Sequence, residues 1–181
     1  INTWNVTQVT DMTSVFAGKT TFNDDISNWD VSNVTTMLNM FNGATSFNKD
    51  ISSWNVSKVA NMTSMFQGAT SFNQNLSGWS NLSSVVTMVS MFQGATSFNS
   101  SVNGWTLTNL VTTNSMFKSA TGFNLAIENW NAPSLTNVSS MFEAATTFNQ
   151  NFLSGNLSGI SNMSSMFKDA TTFNFDITRW N

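Results

Sequence analysis

Residues 51–75 read ISSWNVSKVANMTSMFQGATSFNQN, and this 25-residue unit decides the organisation of the whole chain. Its Phe-Asn pair, Phe72-Asn73, recurs at intervals of 25 residues, with a single interval of 26. The other pairs begin at Phe22, Phe47, Phe98, Phe123, Phe148 and Phe173. A period of this length is typical of proteins in which each unit stacks on its neighbour, because one unit alone cannot bury its apolar face.

The repeat extends over all 181 residues, and the composition does not change along the chain. We therefore expect one solenoid domain, residues 1–181. Its repeats are expected at about 1–25, 26–50, 51–75, 76–101, 102–126, 127–151 and 152–176, with a partial copy at 177–181. Because the chain begins and ends inside the motif, we expect it to be part of a longer repeat protein.

The spacing of apolar residues within the unit predicts its secondary structure. We number positions from Ile51 as position 1, so that Trp54 occupies position 4. Apolar residues at positions 1, 4 and 6 favour a short strand, whereas those at 12, 15, 16 and 19 follow the i, i+3, i+4, i+7 spacing of one helix face. Position 11 is Asp, Asn or Thr in every copy, as expected of a helix N-cap. Position 18 is Gly in four copies, which is typical of a helix end.

These patterns predict an α/β solenoid with one short parallel strand and one short helix in each of about seven repeats. A parallel β-helix is the alternative fold, and it would require positions 12 to 16 to be strand. Trp at position 4 and Phe at positions 16 and 22 are expected to be buried, since they hold the same register in nearly every copy. Asn at position 23 is expected to form a ladder that satisfies backbone groups.

The segments MFQGATSFNQNLSGW (65–79) and WDVSNVTTM (29–37) resemble the repeat of the BspA-like bacterial surface proteins, a leucine-rich-repeat variant. The resemblance extends from Trp4 to Trp180. It implies an extracellular, adhesion-type scaffold at the cell surface. Departures occur in the later copies, among them Ala132-Pro133 and Gly155, where the repeat otherwise has Trp.

The composition argues against several kinds of chemistry. The chain has no His, Cys or Tyr, so the common catalytic triads and zinc-ligand sets are missing, and we expect neither an enzyme nor a metal or cofactor site. Asp25 and Asp50, in the same position of adjacent copies, could form a glycosidase-like pair or a calcium site, although solvated surface charge is the preferred interpretation. Only six basic residues are present and they are scattered, so we expect no nucleic-acid partner. No apolar stretch is long enough to predict membrane insertion.

The remaining candidate for function is the polar face formed by position 5 of the predicted strands. Its members are Asn5, Asp30, Asn55, Ser80, Thr106, Asn131 and Asn156. Such a face predicts a scaffold that binds a protein or a glycan on another surface, through many weak contacts. Two alternatives remain: a filament or surface-layer subunit that joins copies of itself end to end, and an ice-binding protein, for which the face carries too few threonines in register.

Overall fold

The computed structural model describes residues 1, 3–152, 157–178 and 180. Over these residues the backbone is a succession of tight turns, with no α-helix and no extended strand, and hence no helix that could cross a membrane. The predicted solenoid of helices and strands, with its likeness to leucine-rich repeats, is therefore wrong. The parallel β-helix alternative is wrong as well, because neighbouring repeats meet through isolated residue pairs rather than through strands.

Isolated parallel bridges join each repeat to the next. One column of bridges runs through position 11, and it begins with the pair Asp11 and Thr36 and ends with the pair Asn137 and Asn162. The intervening members are Asn61, Thr87 and Thr112. A second column at position 5 joins Asn81, Thr106 and Asn131. The repeats therefore lie side by side in parallel register, with each residue beside its counterpart in the next copy.

The predicted helix does not form because two positions in each repeat have a positive φ. At position 14 the φ angle lies between 53° and 60° in Ser14, Asn39, Ser64, Ser90, Ser115, Ser140 and Ser165. Position 18 is also left-handed, both where it is glycine, as in Gly68, and where it is Ala144. A right-handed helix cannot continue through a left-handed residue. The backbone bonds accordingly span three residues, as in Met65 N–H to the Met62 carbonyl at 3.3 Å.

The hydrogen bonds that a helix would have made within itself run instead between repeats. N–H groups at positions 12, 14, 16 and 18 donate to carbonyls at positions 11, 13, 15 and 17 of the next copy. In the third repeat the donors are Met62, Ser64, Phe66 and Gly68, and their acceptors at 2.8 to 3.1 Å are Thr87, Val89, Met91 and Gln93. Because both sets of groups are paired, this segment satisfies its backbone without a helix.

Tight turns also replace the predicted strand. The Trp54 N–H donates to the Ile51 carbonyl at 3.1 Å, and the Val59 N–H donates to the Val56 carbonyl at 3.0 Å. Each bond closes a four-residue turn, which an extended strand cannot contain. Positions 1 to 9 therefore fold as two successive turns.

The residues at position 11, predicted as helix N-caps, do accept a hydrogen bond from a backbone N–H through their side-chain oxygens. The bond closes a turn, however, and no helix follows it in the described residues. The Asn61 Oδ1 atom accepts from the Thr63 N–H at 2.9 Å, and the Asp11 carboxylate accepts from the Thr13 N–H at 2.7 Å. The acceptor is two residues before the donor, which is the geometry of an Asx-turn. The chemistry of the residue was predicted correctly, whereas the element that follows it was not.

Two columns of phenylalanine rings form the centre of the core. Within each repeat the rings at positions 16 and 22 stack with centroids 3.8 to 4.1 Å apart. Between repeats the position-16 rings follow one another at 5.4 to 5.7 Å. Each aromatic pair contributes about 0.5–1.5 kcal/mol beyond burial, so the ladder favours stacking in one register.

The two ends of the described stack differ in hydrogen-bonding character. At one end the carbonyls of positions 11, 13, 15 and 17 in the first repeat have no donor among the described residues. At the other end the N–H groups of Met163, Ser165, Phe167 and Asp169 have no acceptor among them. At these four positions one end presents acceptors and the other donors, whereas positions 10 and 21 pair in the opposite direction, as in Ala60 N–H to the Thr35 carbonyl of the preceding copy.

Candidate functional site

The structure places most of the predicted position-5 residues at the surface. Asn5, Asp30, Asn55, Ser80 and Asn131 are exposed. Thr106 is half-buried, because its backbone is bridged on both sides. Asn156 lies outside the described residues, as does Gly155 beside it.

Ser80 does not occupy position 5 of its repeat. It is the extra residue of the 26-residue interval, and Asn81 takes the equivalent place, since Asn81 bridges to Thr106 and is followed by the buried Leu82. The signal was present in the sequence, because residues 81–83 read NLS and residues 55–57 read NVS. We call Asn5, Asp30, Asn55, Asn81, Thr106 and Asn131 the position-5 face.

Local turns hold several side chains of the position-5 face in fixed orientations. The Asn55 Oδ1 atom accepts from the Ser57 N–H at 3.2 Å and from its hydroxyl at 2.8 Å. Asn5 makes the same two contacts with Thr7, at 3.1 and 2.8 Å. The Asn81 Oδ1 atom accepts from the Ser83 N–H at 3.2 Å. Because each oxygen is bonded inward, the amide Nδ2 groups remain as donors with no acceptor among the described residues.

Three aspartates, one of them in this face, have lowered pKa values, which favours their charged form. The Ser32 hydroxyl and backbone N–H lower the pKa of Asp30, and the Ser52 and Ser27 turns likewise lower the pKa values of Asp50 and Asp25. A glycosidase acid has a raised pKa, whereas the pKa values of Asp25 and Asp50 are lowered, as expected if both are solvated surface charges. Among the described residues no three acidic side chains converge as metal ligands.

A shallow groove of about 390 Å³ lies within the position-5 face, between the third and fourth repeats. Polar side chains of Ser53, Asn55, Ser57, Ser80 and Asn81 line it, together with the backbone of Gly78. Trp54, Val56 and Trp79 complete the lining. Because its lining contains no charged side chain, the groove is suited to neutral, hydrogen-bonding ligands.

The tryptophan column at position 4 is structural along most of its length, as predicted. Trp29, Trp54, Trp79, Trp105 and Trp130 are buried, whereas Trp4 in the first repeat is 58% exposed. Each buried indole N–H donates to the position-1 carbonyl of the preceding repeat, as from Trp79 to Ile51 at 3.0 Å. These rings are therefore fixed by the core and are not free platforms for a sugar.

The asparagine column at position 23 forms the predicted ladder. The backbone N–H of each Asn from the second to the seventh repeat donates to the side-chain Oδ1 of the preceding one at 2.8 to 3.0 Å. The structural interpretation of this column is confirmed.

The stacked copies and their polar face define a tandem-repeat protein with a hydrogen-bonding surface. Its two halves each match the family described as "Mycoplasma protein of unknown function, DUF285", over residues 1–105 and 87–181. The chain belongs to this repeat family. No curated protein and no solved structure matches it.

Proposed function

We propose that this protein is a non-enzymatic binding scaffold that recognises a protein or glycan partner through the position-5 face. The observation that carries the proposal is the orientation of the asparagine amides, whose oxygens are bonded inward while their Nδ2 groups remain free among the described residues. A donor that is already oriented loses little conformational entropy when a partner binds.

Two further observations support the proposal. The chain has no His, Cys or Tyr, and the one carboxylate of the position-5 face, Asp30, has a lowered pKa, which does not suit it to act as a general acid. The resemblance to BspA-like repeats supports an extracellular or cell-surface setting with an adhesion role. Because each contact on a polar face is weak, binding would depend on several repeats engaging together.

The test is a binding screen of the intact chain against a glycan array and a panel of purified extracellular proteins. We expect at least one partner, and we expect the triple variant Asn55→Arg, Thr106→Arg and Asn131→Arg to lose it. A matched variant with Ser46→Arg, Ser71→Arg and Ser97→Arg changes three exposed residues at position 21 and should bind normally. An intact chain that binds nothing, or a folded face variant that binds unchanged, would contradict the proposal.

A second candidate function is end-to-end assembly into a filament or surface layer. It is favoured by the way internal repeats pair, since N–H groups at positions 12, 14, 16 and 18 donate to carbonyls of the next copy in a pattern that another copy of the chain could continue. A copy that adds to either end would continue the internal pattern, and repeated addition without closure gives a filament. Light scattering should then show a mass that rises with concentration, and Val15→Lys at an exposed end position should reduce it. A monodisperse monomer at high concentration would exclude this candidate.

A further inference from the structure

The chain contains two Asn-Gly pairs, Asn42-Gly43 and Asn103-Gly104, which occupy different places in the repeat. In such a pair the asparagine side chain is open to attack by the next backbone nitrogen, because glycine has no Cβ to obstruct the approach. Asn42 and Gly43 fill positions 17 and 18 of the second repeat, whereas Asn103 and Gly104 fill positions 2 and 3 of the fifth. The structure gives the two pairs opposite hydrogen-bonding environments.

Hydrogen bonds to neighbouring side chains and to the third repeat hold the first pair in place. The Gly43 N–H donates to the Gln67 carbonyl at 2.7 Å, so this nitrogen takes part in the bonds that join the copies. The Asn42 Nδ2 group donates to the Gln67 Oε1 atom at 3.1 Å and to the Asn39 Oδ1 atom at 3.2 Å. Attack by the Gly43 nitrogen would require these bonds to break, which needs local opening of the stack.

The second pair lies in a turn that lacks its closing bond. In the third repeat the Trp54 N–H closes this turn by donating to the Ile51 carbonyl, whereas the Trp105 N–H has no acceptor among the described residues. The same holds for the Gly104 N–H within the described part of the chain. Gly104 is exposed, its φ is 91°, and a Cβ added there would meet no atom within 4 Å apart from its chain neighbours. The attacking nitrogen of this pair is therefore accessible and unbonded.

The Asn103 side chain makes one hydrogen bond, and that bond would assist attack. Its Oδ1 atom accepts from the Asn129 N–H at 2.9 Å, and its Nδ2 group has no acceptor among the described residues. A donor at a carbonyl oxygen stabilises the negative charge that develops there when a nucleophile adds to the carbon. The Nδ2 group, which would have to leave, is held by no bond in the described structure.

We propose that Asn103 is a site of spontaneous deamidation and that the stack protects Asn42. Water or hydroxide removes the proton from the Gly104 nitrogen as this nitrogen bonds to the Asn103 Cγ atom. The Cγ–Nδ2 bond then breaks, and the Nδ2 group takes up a proton and leaves as ammonia. The resulting succinimide ring is opened by water at either of its carbonyls, which gives Asp or isoaspartate in place of Asn103. The reaction needs only water as a co-reactant.

Either product changes the contact between the fifth and sixth repeats. Both products carry a negative charge where Asn103 is neutral. In isoaspartate the former side-chain carbonyl becomes part of the main chain, so its oxygen is displaced from the Asn129 N–H. The main chain also gains one atom just before Trp105, whose indole N–H donates to the Leu76 carbonyl at 3.4 Å. We therefore expect isoaspartate to weaken this step of the stack.

The experiment incubates the folded chain in mildly alkaline buffer and follows both asparagines by peptide mapping with mass spectrometry. Fragmentation that distinguishes isoaspartate from Asp identifies the product. We expect Asn103 to convert about ten-fold or more faster than Asn42, because only the Gly43 nitrogen must first be released from a hydrogen bond. In the urea-unfolded chain the two pairs should convert at similar rates. Asn103→Gln, which cannot form the five-membered ring, should abolish the product at this site and leave Asn42 unchanged.

Three outcomes would overturn the proposal. One is conversion of Asn42 in the folded chain as fast as that of Asn103. Another is an Asn103 that stays intact in the folded chain for the time in which the unfolded chain converts. The third is a difference between the two sites that persists in urea, because the folded structure would then not be its cause. Selective conversion of Asn103 in the folded chain, with the selectivity lost in urea, supports the proposal.

Discussion

A residue with a positive φ at position 14 of every repeat determines the local structure. Ser64 and its counterparts adopt this left-handed conformation at a cost in steric strain. Apart from glycine, which has no Cβ, mainly Asn and Asp adopt it. The sequence gives little sign of it, because serine is tolerated in a helix and is not among the residues enriched at positive φ. Position 18 gives a partial signal, since Gly68 and three other glycines mark a left-handed residue that we assigned to a helix end.

Replacing Ala144 with glycine tests the left-handed conformation directly. Ala144 has a φ of 56°, in the place where Gly68 has 67°. Removing its Cβ relieves about 1–2 kcal/mol of strain, partly offset by the greater freedom of glycine in the unfolded chain. We expect Ala144→Gly to raise the free energy of unfolding by about 0.5–1 kcal/mol, measured by urea denaturation.

The neighbouring Ala145 provides the control for this prediction. It is fully buried and has no positive φ, so Ala145→Gly should lower the free energy of unfolding. A right-handed helix that continued through both residues would predict that both substitutions destabilise the protein, since glycine is a poor helix former. Destabilisation by Ala144→Gly would therefore contradict the turn structure.

The aspartates that close Asx-turns predict how stability depends on pH. Hydrogen bonds from Thr13, Ser27, Ser32 and Ser52 lower the pKa values of their aspartate partners in the folded chain. Because the folded pKa values lie below the unfolded value of about 3.9, the unfolded chain binds more protons in acid. The contribution of these turns to stability is complete above the unfolded pKa, and it is lost as the pH falls through the folded values.

Substitution by asparagine should remove this acid sensitivity. Asn61 and Asn75 already close the same turns in other copies, so the quadruple variant Asp11→Asn, Asp25→Asn, Asp30→Asn and Asp50→Asn should keep the fold. Urea denaturation between about pH 5 and pH 2 should show a smaller loss of stability for this variant than for the unaltered chain. An equal loss of stability in the variant and the unaltered chain would show that these four carboxylates do not contribute to the dependence of stability on pH.

At the scale of the element, the sequence predicted which residues are buried but not the backbone that buries them. The period placed the phenylalanine and tryptophan columns in the core and the position-23 asparagines in a ladder, and the structure agrees. The spacing 12, 15, 16 and 19 is shared by a helix face and by successive tight turns, so periodicity alone cannot separate them. The decisive bonds, such as Ser64 N–H to the Val89 carbonyl, join residues in different repeats.

The hydrogen bonds of the tryptophan column predict that removing one indole N–H lowers the free energy of unfolding. Trp79→Phe removes the donor to the buried Ile51 carbonyl and leaves space in the core, so the free energy of unfolding should fall by about 1–3 kcal/mol. Trp4→Phe is the matched control, because Trp4 is 58% exposed and should be nearly neutral. If urea denaturation showed the same decrease in the free energy of unfolding for Trp79→Phe and Trp4→Phe, the indole hydrogen bond would not be what this column contributes to stability.

At the scale of the whole molecule, bonds between copies hold together a fold whose repeats have no helix or strand in their described residues. Each repeat both donates to and accepts from its neighbours, as in Met62 N–H to the Thr87 carbonyl of the next copy and Ala60 N–H to the Thr35 carbonyl of the preceding one, and the polar position-5 face follows from this stacking. The candidate face could be predicted from the pattern, except at the insertion, where Asn81 rather than Ser80 continues it.

Scalar couplings across hydrogen bonds, measured by NMR on deuterated protein, test the stacking most directly. We predict cross-peaks from the amides of Met62, Ser64, Phe66 and Gly68 to the carbonyls of Thr87, Val89, Met91 and Gln93 in the next repeat. Cross-peaks from Phe66 to the Met62 carbonyl and from Gly68 to the Ser64 carbonyl, each four residues earlier, would instead indicate a helix and contradict the account.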